Sequence, residues 1–127
     1  NHKKMFSNLI LKLKNKGFTI AGYGASGRAN TLIQYCDLDN TIIDYIIDDA
    51  PKKSGYFTPG SHIPIINRNQ LNKFKTPDYL IIFAWSFLDE ILPRLKGIIN
   101  NKAKIILPFP EIKVLELENN KIREQLN

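Results

Sequence analysis

The chain has 127 residues, 43% hydrophobic and 24% charged, which suits the core of one ordinary domain and leaves no room for a second. Its longest apolar runs, such as 79–85, fall far short of the roughly 20 residues that cross a bilayer, and no signal-peptide pattern opens it, so a cytoplasmic protein without membrane partners is expected. The net charge of +6 favours an anionic partner, yet the lysines are scattered and match no nucleic-acid-binding module, while one cysteine and two distant histidines leave neither an internal disulfide nor a zinc site.

The segment from Lys3 to Lys16 sets Met5, Leu9, Leu11 and Leu13 among lysines, a helical pattern that Gly17 ends as a C-cap. Phe18 to Tyr23 reads as a buried strand, followed by a glycine turn and a helix from about Ser26 to Tyr35, on which Cys36 is a small buried hydrophobe. Thr41 to Ile47 is rich in β-branched residues and ends at Asp48-Asp49-Ala50-Pro51, a strand running into a loop. The long loop through Gly55, Pro59, Gly60 and Pro64 leads to Asn67, the expected N-cap of a short helix carrying Leu71 and Phe74. Asp78 to Ala84 is a third apolar strand. Ser86 and Asp89 have the spacing of a capping box for a helix carrying Ile91, Leu92 and Leu95, which Pro93 bends. A strand follows at Ala103 to Leu107, an edge strand at Glu111 to Leu117, and from Glu118 a helix or frayed end.

Strands alternate with helices, and the strands are continuously apolar, as a parallel sheet covered on both faces requires. The expected fold is α/β: a Rossmann-like three-layer domain over 1–127 with a mostly parallel sheet of about five strands. Gly22, Gly24 and Gly27 form a G-x-G-x-x-G between strand and helix, where bare backbone lets a phosphate approach the amides that open the helix. Arg28 stands in the first helical turn, where the helix dipole opposes a cation, which suggests an anion nearby or a solvent-exposed arm. Asp48 meets the spacing of about twenty residues at which an acid takes ribose hydroxyls in dinucleotide-binding folds, although an acid at the end of a strand also caps a loop by bonding its backbone. The loop from Asp48 to Ile65 is long enough to suggest function, with Thr58, Ser61 and His62 offering hydrogen bonds beside Pro59-Gly60. Trp85 lies at the carboxyl end of a strand, where open α/β sheets hold ligands, with a buried packing role as the alternative.

Together these stretches resemble the C-terminal domain of the S-adenosylmethionine-dependent sugar C-methyltransferases. The resemblance rests on Gly22-Tyr23-Gly24-Ala25 with Asn30-Thr31-Leu32, Asp44-Tyr45-Ile46-Ile47-Asp48, Phe57-Thr58-Pro59-Gly60-Ser61-His62-Ile63-Pro64-Ile65, and Asp78-Tyr79-Leu80 through Ala84-Trp85-Ser86-Phe87. It departs at Ala25-Ser26-Gly27-Arg28-Ala29, where a proline and a lysine are expected, and at Asp49-Ala50 in place of an Arg-Asn or Lys-Asn pair. It implies the end domain of a larger enzyme, inactive alone, that helps bind a nucleotide-diphosphate sugar beside the enzyme's own methyl-donor-binding domain. S-adenosylmethionine, zinc and the catalytic residues would belong to the other parts. The expected binding residues are Gly22, Gly24, Ala25, Ser26, Arg28, Asn30, Asp48, Thr58, Pro59, Gly60, His62 and Trp85, with the loop completing the cleft over the glycine turn. Two alternatives stand beside this reading: an NAD(P)-binding domain of an oxidoreductase, and an interaction domain without ligand.

Overall fold

Both faces of a seven-stranded sheet are covered, in strand order β3-β2-β1-β4-β5-β6-β7. The computed structural model describes residues 1–100, 102–118 and 121–124. Five strands are parallel: β1 (Ile20–Tyr23), β2 (Tyr45–Ile47), β3 (Ile65–Ile66), β4 (Tyr79–Ile82) and β5 (Lys104–Leu107). The sheet is mostly parallel, as expected, but has seven strands rather than about five: β1, β2, β4 and β5 answer the strands expected there, while β3 stands at the end of the expected long loop. It is extended by an antiparallel pair, β6 (Lys113–Glu118) and β7 (Lys121–Glu124), so the expected edge strand is flanked on both sides and a strand stands at 121–124 where a helix or frayed end was expected, the rest of that expectation, at 119–120 and 125–127, lying outside the described residues.

Alternation along β4 explains why the strands read as unbroken apolar runs. Tyr79, Ile81 and Phe83 pack on one face with Phe6, Ile10 and Leu13 of α1 (His2–Asn15) and Leu32 and Ile33 of α2 (Gly27–Tyr35). Leu80 and Ile82 pack on the other with Ile91, Leu95 and Ile98. Helix α1 therefore buries the i, i+4, i+7 set Phe6, Ile10 and Leu13, whereas Met5 and Leu11 stay 63% and 40% exposed. It ends in a Schellman motif: the Gly17 amide donates to Lys14 O and the Phe18 amide to Leu13 O, with Gly17 at φ 91°. Cys36 is buried in the core, as expected.

The long helix expected after Trp85 is broken. A 3-10 turn (Trp85–Phe87), one turn of α-helix (α3, Leu88–Ile91) and a second 3-10 turn (Leu92–Leu95) replace it, with Pro93 near the start of the last. No side chain caps any of them, so the Ser86–Asp89 capping box does not form. Asn67 does cap, reciprocally with Gln70, but the turn it opens (Arg68–Lys73) is 3-10 rather than α. No helix among the described residues is long and apolar enough to cross a membrane.

Candidate ligand site at the carboxyl edge of the sheet

The chain leaves β1 toward α2 on one face of the sheet and leaves β4 toward α3 on the other. Because β1 and β4 are neighbours, a crevice opens between their carboxyl ends, where open α/β sheets take ligands. Ser26 caps α2, accepting from the Ala29 amide at 3.1 Å. The amides of Ser26, Gly27 and Arg28 have no acceptor among the described residues, leaving three donors aimed out of the helix start.

Arg28 reaches across to the β4 side. Its guanidinium carbon lies 4.7 Å from the centre of the Trp85 ring, with Nη1 at 3.4 Å from Ser86 Oγ. Trp85 is backed by Phe109 at 4.8 Å, and Phe109 by the His2 ring at 4.1 Å. A column of three rings thus steadies a cation that would otherwise swing freely in solvent. Asn30, one turn along α2, keeps its side-chain oxygen buried without a partner among the described residues.

Asp48 is not free to meet a ribose. Its Oδ2 accepts from the Ala25 amide and its Oδ1 from the Ala50 amide, both at 2.8 Å, and Lys53 Nζ lies 3.7 Å away. The carboxylate ties the glycine turn to the end of β2, which removes the feature that favoured a dinucleotide. Gly22 is likewise structural. It is buried in β1, where a Cβ would overlap the Phe83 ring and stand 3.3 Å from Ile46 Cγ1, so no ligand reaches it.

Loop residues Thr58, Pro59, Gly60 and His62 do not close over the crevice. They sit at the other end of α2, where Gln34 Nε2 donates to Pro59 O at 2.8 Å and the Asn40 amide to Ser61 O at 3.1 Å. Strand β3 is parallel to β2, so the connection must descend from the carboxyl to the amino edge before β3 can begin. Thr58 and Ser61 are buried, their hydroxyls bonded to each other, and Thr58 Oγ1 also accepts from the Ile63 amide at 2.9 Å. His62, at φ 55°, stacks parallel on the exposed Phe57 ring at 4.2 Å.

Beside the crevice, on the α3 face, lies a cleft of about 350 Å³ lined by Tyr23, Asp49, Phe87, Glu90, Ile91 and Arg94, with Gly24 and Ala84 where it meets the crevice. Its floor is a network that the linear sequence did not reveal. The Tyr23 hydroxyl donates to Asp49 Oδ2 at 2.6 Å, and Arg68 grips both Asp49 oxygens at 2.8 and 2.9 Å while donating to Arg94 O at 2.7 Å. Burial, then the bond to Asp49, pushes the Tyr23 phenol up. The Arg68 guanidinium holds the Asp49 carboxyl down.

A carboxyl with a lowered folded pKa contributes stability that is complete above its unfolded value and disappears as pH falls through the folded one. Wild-type chain is therefore expected to lose more stability than Asp49→Asn on acidification from about pH 5 to 2, read as denaturant midpoints. Parallel losses in the two proteins would refute the clamp.

The C-methyltransferase C-terminal domain family matches residues 1–110. C-methyltransferase NovU of Streptomyces niveus is 35% identical over 103 residues, covering 81% of this chain and 24% of that protein. The chain thus corresponds to about a quarter of that relative's length.

Proposed function

Because the chain belongs to the C-methyltransferase C-terminal domain family, we propose that it is the part of a methyltransferase that holds a nucleotide-diphosphate sugar, with the diphosphate in the crevice between β1 and β4. What supports this is that the amides of Ser26, Gly27 and Arg28, without an acceptor among the described residues, open the same helix whose Arg28 side chain extends to the Trp85 ring across the crevice, so that donors and a cation suited to a phosphate flank it. Gly24, at φ 93°, allows the sharp turn that leads into these amides.

Methyl transfer would take place elsewhere in the full enzyme, on a sugar presented to a neighbouring methyl-donor-binding domain that holds S-adenosylmethionine. Zinc, like S-adenosylmethionine, would belong to the other parts of the full enzyme. Calorimetric titration with a panel of nucleotide-diphosphate sugars is the test. Saturable binding is expected, free sugars giving none, and a chain that binds no member of the panel, alone or within the full-length enzyme, would sink the proposal.

A further inference from the structure

Lysines that are scattered along the sequence are gathered by the fold. Because β1, β4 and β5 are parallel, the segments leading into them meet at the amino edge of the sheet, opposite the crevice. Helix α1 ends there with Lys14 and Lys16, the segment before β4 brings Lys73 and Lys75, and the approach to β5 brings Lys102 and Lys104. Two of these charges are answered: Lys14 binds both Asp44 oxygens, at 2.9 and 3.1 Å, and Lys104 lies 3.8 Å from Glu116. Lys16, Lys73, Lys75 and Lys102 are exposed and form no ion pair among the described residues. The helix dipole accounts for Lys16 at the end of α1, but Lys73, Lys75 and Lys102 end no α-helix.

Between the end of α1 and the segment before β4 lies a groove of about 450 Å³, lined by Lys14, Phe18, Tyr45, Lys73, Phe74 and Lys75. Its apolar part is Phe74, 36% exposed and packed on the Tyr45 ring at 5.0 Å, together with Phe18, which meets Tyr79 edge-on at 5.3 Å. The Tyr45 hydroxyl donates to Lys75 O at 2.5 Å and so fixes the segment that carries both lysines.

This pattern suits a protein better than a nucleic acid. Phosphates favour the arginine fork, and the segments leading into these three strands hold no arginine. Asp44 and Asp78 also stand among the lysines, where they would interrupt a run of phosphates. Protein interfaces, by contrast, join an apolar centre to a polar rim and set opposite charges against each other.

We infer that the amino edge docks an acidic peptide segment of a partner protein, its carboxylates on Lys16, Lys73 and Lys75 and an apolar side chain against Phe74 in the groove. A partner held there leaves the crevice at the opposite edge open, so the inference stands apart from the sugar-nucleotide reading.

Titration of the chain with a glutamate-rich peptide carrying one central leucine, followed by nuclear magnetic resonance, tests it. The amides of Gly17, Thr19 and Phe74 are expected to shift. Lys73→Gln combined with Lys75→Gln is expected to weaken the peptide about fivefold, the scale of two exposed ion pairs. Lys4→Gln combined with Lys52→Gln removes the same charge from exposed lysines outside this edge and is expected to bind as wild type. Equal weakening by both pairs would reduce the effect to net charge and overturn the site, as would shifts confined to other surfaces or no binding at all. A single-stranded oligonucleotide or a phosphatidylglycerol vesicle that binds these residues more tightly than the peptide would overturn the assignment to a protein partner.

Discussion

Arg28→Ala is expected to weaken binding of a nucleotide-diphosphate sugar by ten- to a hundredfold and to leave the unfolding midpoint nearly unchanged. A hydrogen bond from a charged donor is worth about 1.5–3 kcal/mol, and about 1.4 kcal/mol is a factor of ten in affinity. The cost to stability is small for a physical reason. Arg28 is exposed on the first turn of α2, where the helix dipole disfavours a cation, and its stacking on Trp85 offsets that by only about 0.5–1 kcal/mol.

Two companion measurements separate a positioned cation from a merely local charge. Arg28→Lys keeps the charge but not the planar face that rests on Trp85, so intermediate affinity is expected. Trp85→Ala leaves Arg28 in place but unsteadied, and is expected to weaken binding through Arg28, so that the two variants combined cost less than the sum of each alone. Full additivity would mean that Trp85 does not act by holding the guanidinium.

Much of this site was legible in the sequence because its determinants are local. Ser26 before a glycine-led helix is an N-cap by chemistry, Gly17 after a lysine-rich turn is a C-cap, and Asn67 with Gln70 forms a reciprocal cap. Each requires only a few consecutive residues. Alternation of buried faces in β4 likewise follows from the continuous run Tyr79 to Phe83.

What escaped depends on the path of the chain. The loop carrying Thr58 and His62 is rich in special residues, and composition alone points to a cleft. The parallel pairing of β2 with β3 instead takes its tip to the amino edge, where those residues fold the loop itself. Asp49 and Arg68 meet only because β2 and the turn after β3 finish side by side at the carboxyl edge. Ser86 and Asp89 have the right spacing for a cap, but with Pro93 close behind only one α-helical turn forms, and Ser86 faces Arg28.

The glycines of the turn provide the second large effect, since one motif holds three different demands. Gly22→Ala is expected to cost about 1–3 kcal/mol, the usual range for overpacking, because the new methyl group must displace the Phe83 ring in a fully buried core. Gly24→Ala has open space around it but must hold φ near 93°, a strain of about 1–2 kcal/mol for a residue with a Cβ. Gly27→Ala meets neither obstacle: no atom lies within 4 Å of its Cβ position, its φ is not positive, and alanine is the better helix former by up to about 1 kcal/mol. Folding therefore gives no reason for glycine at 27. If a phosphate rests on the bare backbone there, Gly27→Ala will fold as well as wild type or better, by denaturant midpoint, and still bind a nucleotide-diphosphate sugar less tightly. A Gly27→Ala chain with undiminished affinity would place the anion away from the helix start and leave Arg28 without its partner amides.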